Sequence, residues 1–147
     1  MKKEGFTLIE ILIVIIFISI LGVLGFFGFI SYQESVRISG EVGELVDDLY
    51  YARQLSIIEQ VHHGIRFNFE ENYYQVIRYD EEEEIIKEKI FPPGMEIDSP
   101  DINLEPKFTL FGAVFKGGEI ILSGGDRLKV IQIKPSGFIH VQRPDLN

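Results

Sequence analysis

Hydrophobic positions along the chain follow three successive patterns. From Phe6 to Ile30 they form a nearly unbroken run, FTLIEILIVIIFISILGVLGFFGFI, in which Glu10 is the one charge. At a rise of about 1.5 Å per residue this run reaches roughly 37 Å as a helix, against a hydrocarbon core about 30 Å thick, so the pattern predicts a membrane-spanning helix over 6–30. Past Ile30 the apolar positions thin to helical spacing. Val42, Leu45, Leu49, Ala52 and Ser56 recur every three or four residues, with Glu41, Glu44, Asp47, Asp48 and Arg53 mostly on other faces. That spacing predicts an amphipathic continuation of the helix over 31–60, with one face free to pack on a soluble domain. Gly40 and Gly43 mark the expected place for a bend.

From His62 onward the period shortens to two. HHGIRFNF sets Ile65, Phe67 and Phe69 against Arg66 and Asn68, and a Glu70-Glu71-Asn72 turn leads into YYQVIRY, which reads as a hairpin. Asp80–Glu84 is an acidic turn before IIKEKIF, and Pro92-Pro93-Gly94 closes that strand. Residues 95–106 have the Asp, Ser, Pro and Asn content of a loop. Further strands are expected over Phe108–Phe115, Ile120–Ser123, Leu128–Ile133 and Phe138–Val141. They are separated by Gly117-Gly118, Gly124-Gly125-Asp126 and Pro135-Ser136-Gly137, clusters that supply turn geometry. The fold class expected is α+β: a long amino-terminal helix, membrane-spanning and then amphipathic, packed on an antiparallel β domain over 61–147.

Lys2 and Lys3 precede the apolar run, whereas its far flank carries Glu34 before Arg37. By the positive-inside rule the amino terminus is cytoplasmic and the bulk of the chain exported. A cleavable secretory signal has an apolar core of only about 7–15 residues followed by a small-x-small site, a pattern absent here. Glu10 is costly in a spanning helix by a few kcal/mol on insertion scales of about 2.5–3.5, and such a residue either snorkels to the interface or has a partner. Gly22, Gly25 and Gly28 recur every three residues and would let another helix approach closely, although glycine is common in transmembrane helices generally.

The leader Met1–Gly5 followed by Phe6-Thr7-Leu8-Ile9-Glu10 resembles the type IV prepilin signal: a short basic leader, a glycine, then an aromatic-led apolar stretch with a glutamate fifth after the junction. The resemblance implies that a prepilin peptidase cuts after Gly5, that Phe6 becomes the N-methylated terminus, and that the helix is retained. It also implies that Glu10 pairs with the amino terminus of a neighbouring subunit and so sets axial register. Within a low-dielectric bundle such pairing rewards one register over others. The implied partners are the peptidase, other pilin or pseudopilin subunits, an inner-membrane assembly platform and the lipid bilayer, with the β domain in the periplasm or outside the cell. A narrower resemblance lies in Leu49-Tyr50-Tyr51-Ala52-Arg53-Gln54-Leu55-Ser56-Ile57, then Ile65-Arg66-Phe67, and in Lys134-Pro135-Ser136-Gly137 before the last strand. These are similar to the GspH/FimT group of minor pilins and pseudopilins, with Ser56 where the pattern usually has Ala.

Composition adds limits. The chain has 147 residues, so beyond the membrane helix there is room for one small domain, and 46% hydrophobic content is enough to build its core. With no cysteine, disulfides, thiolate metal sites and thiol nucleophiles are excluded. His62 and His63 are adjacent, so on a strand they face opposite ways and do not share a metal; His140 is isolated. Asp80–Glu84 lacks the glycine and alternating ligands of a calcium loop and reads as a solvated turn. No phosphate-cradling, zinc-protease or nucleophile-elbow motif is present, so neither catalysis nor a cofactor is expected.

Charge is uneven: residues 80–106 carry 2 basic and 10 acidic side chains, residues 107–147 carry 6 and 3, within a net charge of −9. Some FimT-like minor pilins are associated with DNA uptake. Lys116, Arg127, Lys129, Lys134 and Arg143 would be the basic patch for it, although on an acidic chain a scattered solvated face accounts for them as well. Two function classes follow: a minor pilin or pseudopilin of a type II secretion, type IV pilus or competence machine, and a membrane-anchored binding protein whose β domain captures a ligand. The fate of the leader separates them, because a simple anchor needs neither cleavage after Gly5 nor a carboxylate at Glu10.

Overall fold

The computed structural model describes residues 8–101, 104–125 and 127–142, without the side chains of 24, 25, 27, 28, 30 and 31. Helix α1 runs Leu8–Glu59, and two four-stranded antiparallel sheets follow. The chain divides into two compact units, Met1–Ser35 and Val36–Asn147. In the first unit the described side chains of α1 up to Glu34 are exposed and mostly apolar, Leu8, Phe17 and Leu21 among them. Among the described residues no helix is long and apolar enough to cross a membrane. The apolar run of the sequence begins at Phe6, before that set, and the side chains of 24, 25, 27, 28 and 30 within it also lie outside it. Gly40 and Gly43, expected at a bend, are both helical. The helix ends one residue before the expected Gln60. That residue takes a left-handed φ of 55°, and its Nε2 donates to the Ile57 carbonyl at 2.7 Å, which satisfies one of the carbonyls left open at a helix end.

The first sheet has the order β3-β2-β1-β5, with β1 at His62–Asn68, β2 at Tyr73–Tyr79, β3 at Glu83–Ile90 and β5 at Lys107–Phe108. The expected hairpin pairs His62 with Tyr79 through to Asn68 with Tyr73. Its turn is closed by Asn68 Oδ1, which accepts from the Glu71 amide at 2.9 Å. The second sheet has the order β4-β6-β7-β8, with β4 at Met95–Asp98, β6 at Gly118–Gly124, β7 at Arg127–Ile133 and β8 at Ile139–Gln142. Two expectations are corrected. Met95–Asp98, placed in a loop by composition, is a strand paired with Ile121–Gly124, its Met95 and Ile97 buried and Glu96 and Asp98 exposed. Phe108–Phe115, expected as one strand, is the last residue of β5 followed by a turn in which Gly112 at φ 79° donates its amide to the Thr109 carbonyl at 2.8 Å, with a lone bridge from Phe108 to Val114.

Both sheets turn their buried faces to α1. Ile38, Val42, Leu45, Leu49 and Ala52 meet Ile65 and Val76 of the first sheet and Ile120, Leu122 and Ile131 of the second in one apolar core. Each fully buried Leu or Ile contributes about 1.5–3 kcal/mol, so the amphipathic stripe read from the sequence is what holds the helix on the sheets. Asn72 links the sheets: its Nδ2 donates to the Met95 carbonyl at 2.6 Å and its Oδ1 accepts the Ile97 amide at 3.0 Å.

Candidate functional site

The candidate residues lie on α1 and on the two flanks where the sheets meet it. In the first unit, Glu10 is the acidic residue of the first helical turn, on an otherwise apolar exposed surface. A helix apolar on all sides is one that some other apolar medium covers. Gly5 and Phe6 lie outside the described residues. Gly22 has open space where a Cβ would stand; Gly25 and Gly28 are helical, and their surroundings lie outside the described set.

From Glu41 to Asp48 one flank of α1 is acidic, and edge strand β3 answers it with Lys87 and Lys89. Lys87 Nζ lies 2.7 Å from Asp48 Oδ2 and 3.1 Å from Glu44 Oε1, while Lys89 Nζ lies 2.5 Å from Glu44 Oε2 and 3.4 Å from Glu41 Oε2. The buried Asp48 also accepts the Tyr74 hydroxyl at 2.6 Å. Burial and that hydrogen bond hold the Tyr74 phenol far above its ordinary range. The hydrogen bond from Lys89 lowers Glu44, and hydrogen bonding to Glu44 raises Lys89. For Lys87 burial works downward, yet its carboxylate partners outweigh it and the net shift is upward. Inward-pointing lysines on an edge strand also block its pairing with another chain, and a register irregularity at Val76/Ile77 does the same.

The opposite flank carries Arg53. Its Nε donates to the Gly112 carbonyl at 2.8 Å, and Gly112 sits against Gly137, whose φ of 78° belongs to the Lys134–Gly137 turn. A Cβ on Gly137 would collide with the Gly112 carbonyl oxygen, and one on Gly112 would stand 2.9 Å from both Arg53 Nε and Ile57 Cδ1. Glycine is therefore required twice, by backbone conformation and by space.

The histidines divide as expected. His63 is fully buried, its Nδ1 is 2.9 Å from the Val61 carbonyl, and its Nε2 is 3.4 Å from Glu59 Oε2; His62 faces the other way, with Nδ1 3.0 Å from the Phe108 carbonyl. Ser56, although close by, donates to the Ala52 carbonyl and accepts from the His63 backbone amide, not from its ring, so no nucleophile relay is assembled. In the acidic turn Arg78 pairs with Asp80 and Glu84, and Glu83 pairs with Arg66. No group of metal-holding side chains occurs among the described residues. The basic residues fall in two places. Lys134 and Lys116 share one end of the second sheet, where Gly117 abuts the Ile133–Pro135 backbone. Arg127 starts β7 at the other end, with Lys129 two residues on. At about 3.3 Å per residue, a strand of 7 residues puts roughly 20 Å between the two ends. Arg143 lies outside the described residues.

A long amino-terminal helix, its second half cradled by antiparallel sheets and its first half apolar and uncovered, is the type IV pilin-like fold. Among solved structures the chain is similar to the minor pseudopilin EpsH from the Type 2 Secretion System of Vibrio cholerae, at 10% identity and a TM-score of 0.64, over 74% of this chain and 98% of that one. It is also similar to the type IV minor pilin FimU of Pseudomonas aeruginosa, at 14% identity and a TM-score of 0.64, over 76% of this chain and 92% of that one. A second crystal form of FimU gives 13% identity and a TM-score of 0.60 over 71% and 91%. No protein-family model and no curated protein matches the sequence.

Proposed function

We propose that the chain is a minor pilin or pseudopilin, a structural subunit of a membrane-rooted filament of the type II secretion, type IV pilus or competence kind. The observation that carries this reading is a coincidence of two independent signals: a fold shared with EpsH and FimU over nearly their whole lengths, and FTLIE directly after a basic leader ending in Gly5. On this reading residues 6–30 span the inner membrane with the amino terminus cytoplasmic, a prepilin peptidase removes Met1–Gly5, and Phe6 is methylated. Glu10 then meets the amino terminus of a neighbour in the filament. The apolar first half of α1 passes from lipid to a bundle of like helices, and either medium covers the side chains left exposed on the isolated chain. The Arg53 anchorage fits the GspH/FimT group, since two of the three stretches that carry that resemblance, 49–57 and 134–137, take part in it. The test is amino-terminal mass spectrometry of the chain from membranes of cells with and without the peptidase. Methylated Phe6 in the first and an intact Met1–Gly5 in the second are expected; an intact leader in both rejects the reading.

A further inference from the structure

The face of the first sheet turned away from α1 carries a cleft of about 500 Å³. Ile65, Phe67, Tyr74 and Val76 belong to the core, so strand alternation puts Arg66, Asn68, Tyr73 and Gln75 on the other side, where they form the floor. Its wall is the exit of β4, with Asp98, Ser99 and Asp101. A second cleft of about 630 Å³ adjoins it through Phe69, Glu70 and Asp98. Both volumes fall in the range of roughly 300–1,000 Å³ typical of small-ligand clefts.

Hydrogen bonds hold the floor and wall in place. Asn68 Nδ2 donates to Glu71 Oε2 at 3.1 Å, and Gln75 Nε2 donates to Glu88 Oε2 at 2.6 Å. On the wall, Ser99 Oγ donates to the Glu119 carbonyl at 2.6 Å and accepts the Asp101 amide at 3.2 Å. The Tyr73 hydroxyl, Gln75 Oε1 and the Asp101 carboxylate are left without a hydrogen-bond partner among the described residues. Polar groups fixed in advance and still unsatisfied are what a ligand can use without the cost of ordering them.

Their chemistry selects the ligand. Glu70, Asp98 and Asp101 repel an anion, and Arg66, the one basic residue lining either cleft, is already engaged by Glu83 at 3.0 Å and by Glu105 at 3.1 Å. Nucleic acid, held through its phosphates, is therefore a poor fit. A purely apolar ligand would bury the carboxylates and the amide without partners. A sugar ring meets both demands: its C–H face can lie on an aromatic ring, and its hydroxyls donate to carboxylate and amide oxygens.

We propose that this cleft binds an uncharged sugar chain. One ring stacks on Tyr73 and donates hydroxyls to Gln75 Oε1 and the Asp101 carboxylate, and the chain continues past Phe69 into the second cleft.

The test uses the full chain in a detergent without a sugar head group, titrated with soluble oligomers of glucose, mannose and N-acetylglucosamine. Saturation-transfer NMR reads contact between protein and sugar protons. Saturable transfer to at least one of these oligomers is expected, and none to a polyuronate of equal length. Tyr73→Ala and, separately, Asp101→Ala should weaken binding several-fold, whereas Tyr73→Phe, which keeps the ring, should retain most of it. Phe111→Ala, which removes an exposed ring outside the cleft, should change nothing. Circular dichroism checks that each variant is folded. No transfer to any uncharged oligomer, equal transfer to the polyuronate, or an equal loss with Phe111→Ala overturns the proposal. The filament reading is scored apart, by the leader. A processed chain that binds no sugar removes only this site, and an unprocessed chain that binds one removes only the filament reading.

Discussion

Arg53 and Gly112, 59 positions apart, are joined by one hydrogen bond of 2.8 Å from Nε to the carbonyl oxygen, and Gly137 closes over that oxygen. The end of the long helix is thereby fixed to the turn before the final strand. Gly137→Ala combines a strained positive φ with a backbone collision and should cost roughly 2–4 kcal/mol. Arg53→Ala removes a charge-assisted hydrogen bond and should cost about 1.5–3 kcal/mol. Urea denaturation of both variants checks the order, and a Gly137→Ala midpoint equal to that of the unmodified chain contradicts the geometry.

Asp48→Ala leaves the buried Tyr74 hydroxyl without its acceptor and Lys87 with Glu44 alone. Because Lys87 is partly solvated, the expected loss is about 2–3 kcal/mol rather than the larger figure for a fully buried pair. Tyr74→Phe in the Asp48→Ala background should cost much less than in the unmodified chain, since the hydroxyl has no partner left to lose. Additive losses in this double-mutant cycle would show that the two groups are not coupled.

Stability should be flat across neutral pH and fall on both sides. Glu44 is lowered from its ordinary 4.5 by its lysine partners, so its contribution is present above 4.5 and is lost as pH falls through the folded value. Lys87 and Lys89 are raised from 10.5, so theirs is present below 10.5 and is lost as pH rises through the folded values. Glu44→Gln should flatten the acid limb, and added salt should shrink both limbs because the pairs are partly exposed. Denaturation midpoints against pH provide the measurement.

Much of this was legible in the sequence, and the failures share a cause. Val42, Leu45, Leu49, Ala52 and Ser56 were readable because a helical stripe is a local pattern, and all five are buried. The β1–β2 hairpin was readable because two alternating stretches flank a turn. β4 was not: its alternation of Met95, Glu96, Ile97 and Asp98 spans four residues, too few to outweigh the Asp, Ser and Pro that follow. Phe111 and Phe115 fell within one expected strand and Phe138 began another; in the structure Phe111 sits in the 109–112 turn, Phe138 follows the Gly137 corner, and all three are exposed. The Glu41–Asp48 stripe and Lys87-x-Lys89 were visible separately, but their meeting depends on which edge of the sheet lies beside the helix.

Glu10→Ala should leave membrane insertion intact, since it removes a charge from an apolar helix. It should nevertheless reduce incorporation into filaments if register is set by pairing with a neighbour's amino terminus. Comparing membrane and sheared-filament fractions distinguishes the two effects, and unchanged incorporation would confine Glu10 to the membrane interface.

A chain beginning at Val36 should fold as a soluble domain with unchanged core stability. Every buried core residue lies at or beyond Ile38, so truncation removes none of the apolar contacts that seat α1 on the sheets. The anchorage of the helix end by Arg53 and the Glu44–Lys89 pairing also survive intact. What is lost is the exposed apolar surface typified by Leu8, Phe17 and Leu21, which in water favours aggregation, so solubility should rise steeply while the denaturation midpoint barely moves. Far-ultraviolet circular dichroism, sedimentation and urea unfolding of this fragment make the check. A fragment that is soluble but lacks a cooperative transition would mean that the first half of α1 is needed to hold the second half on its sheets.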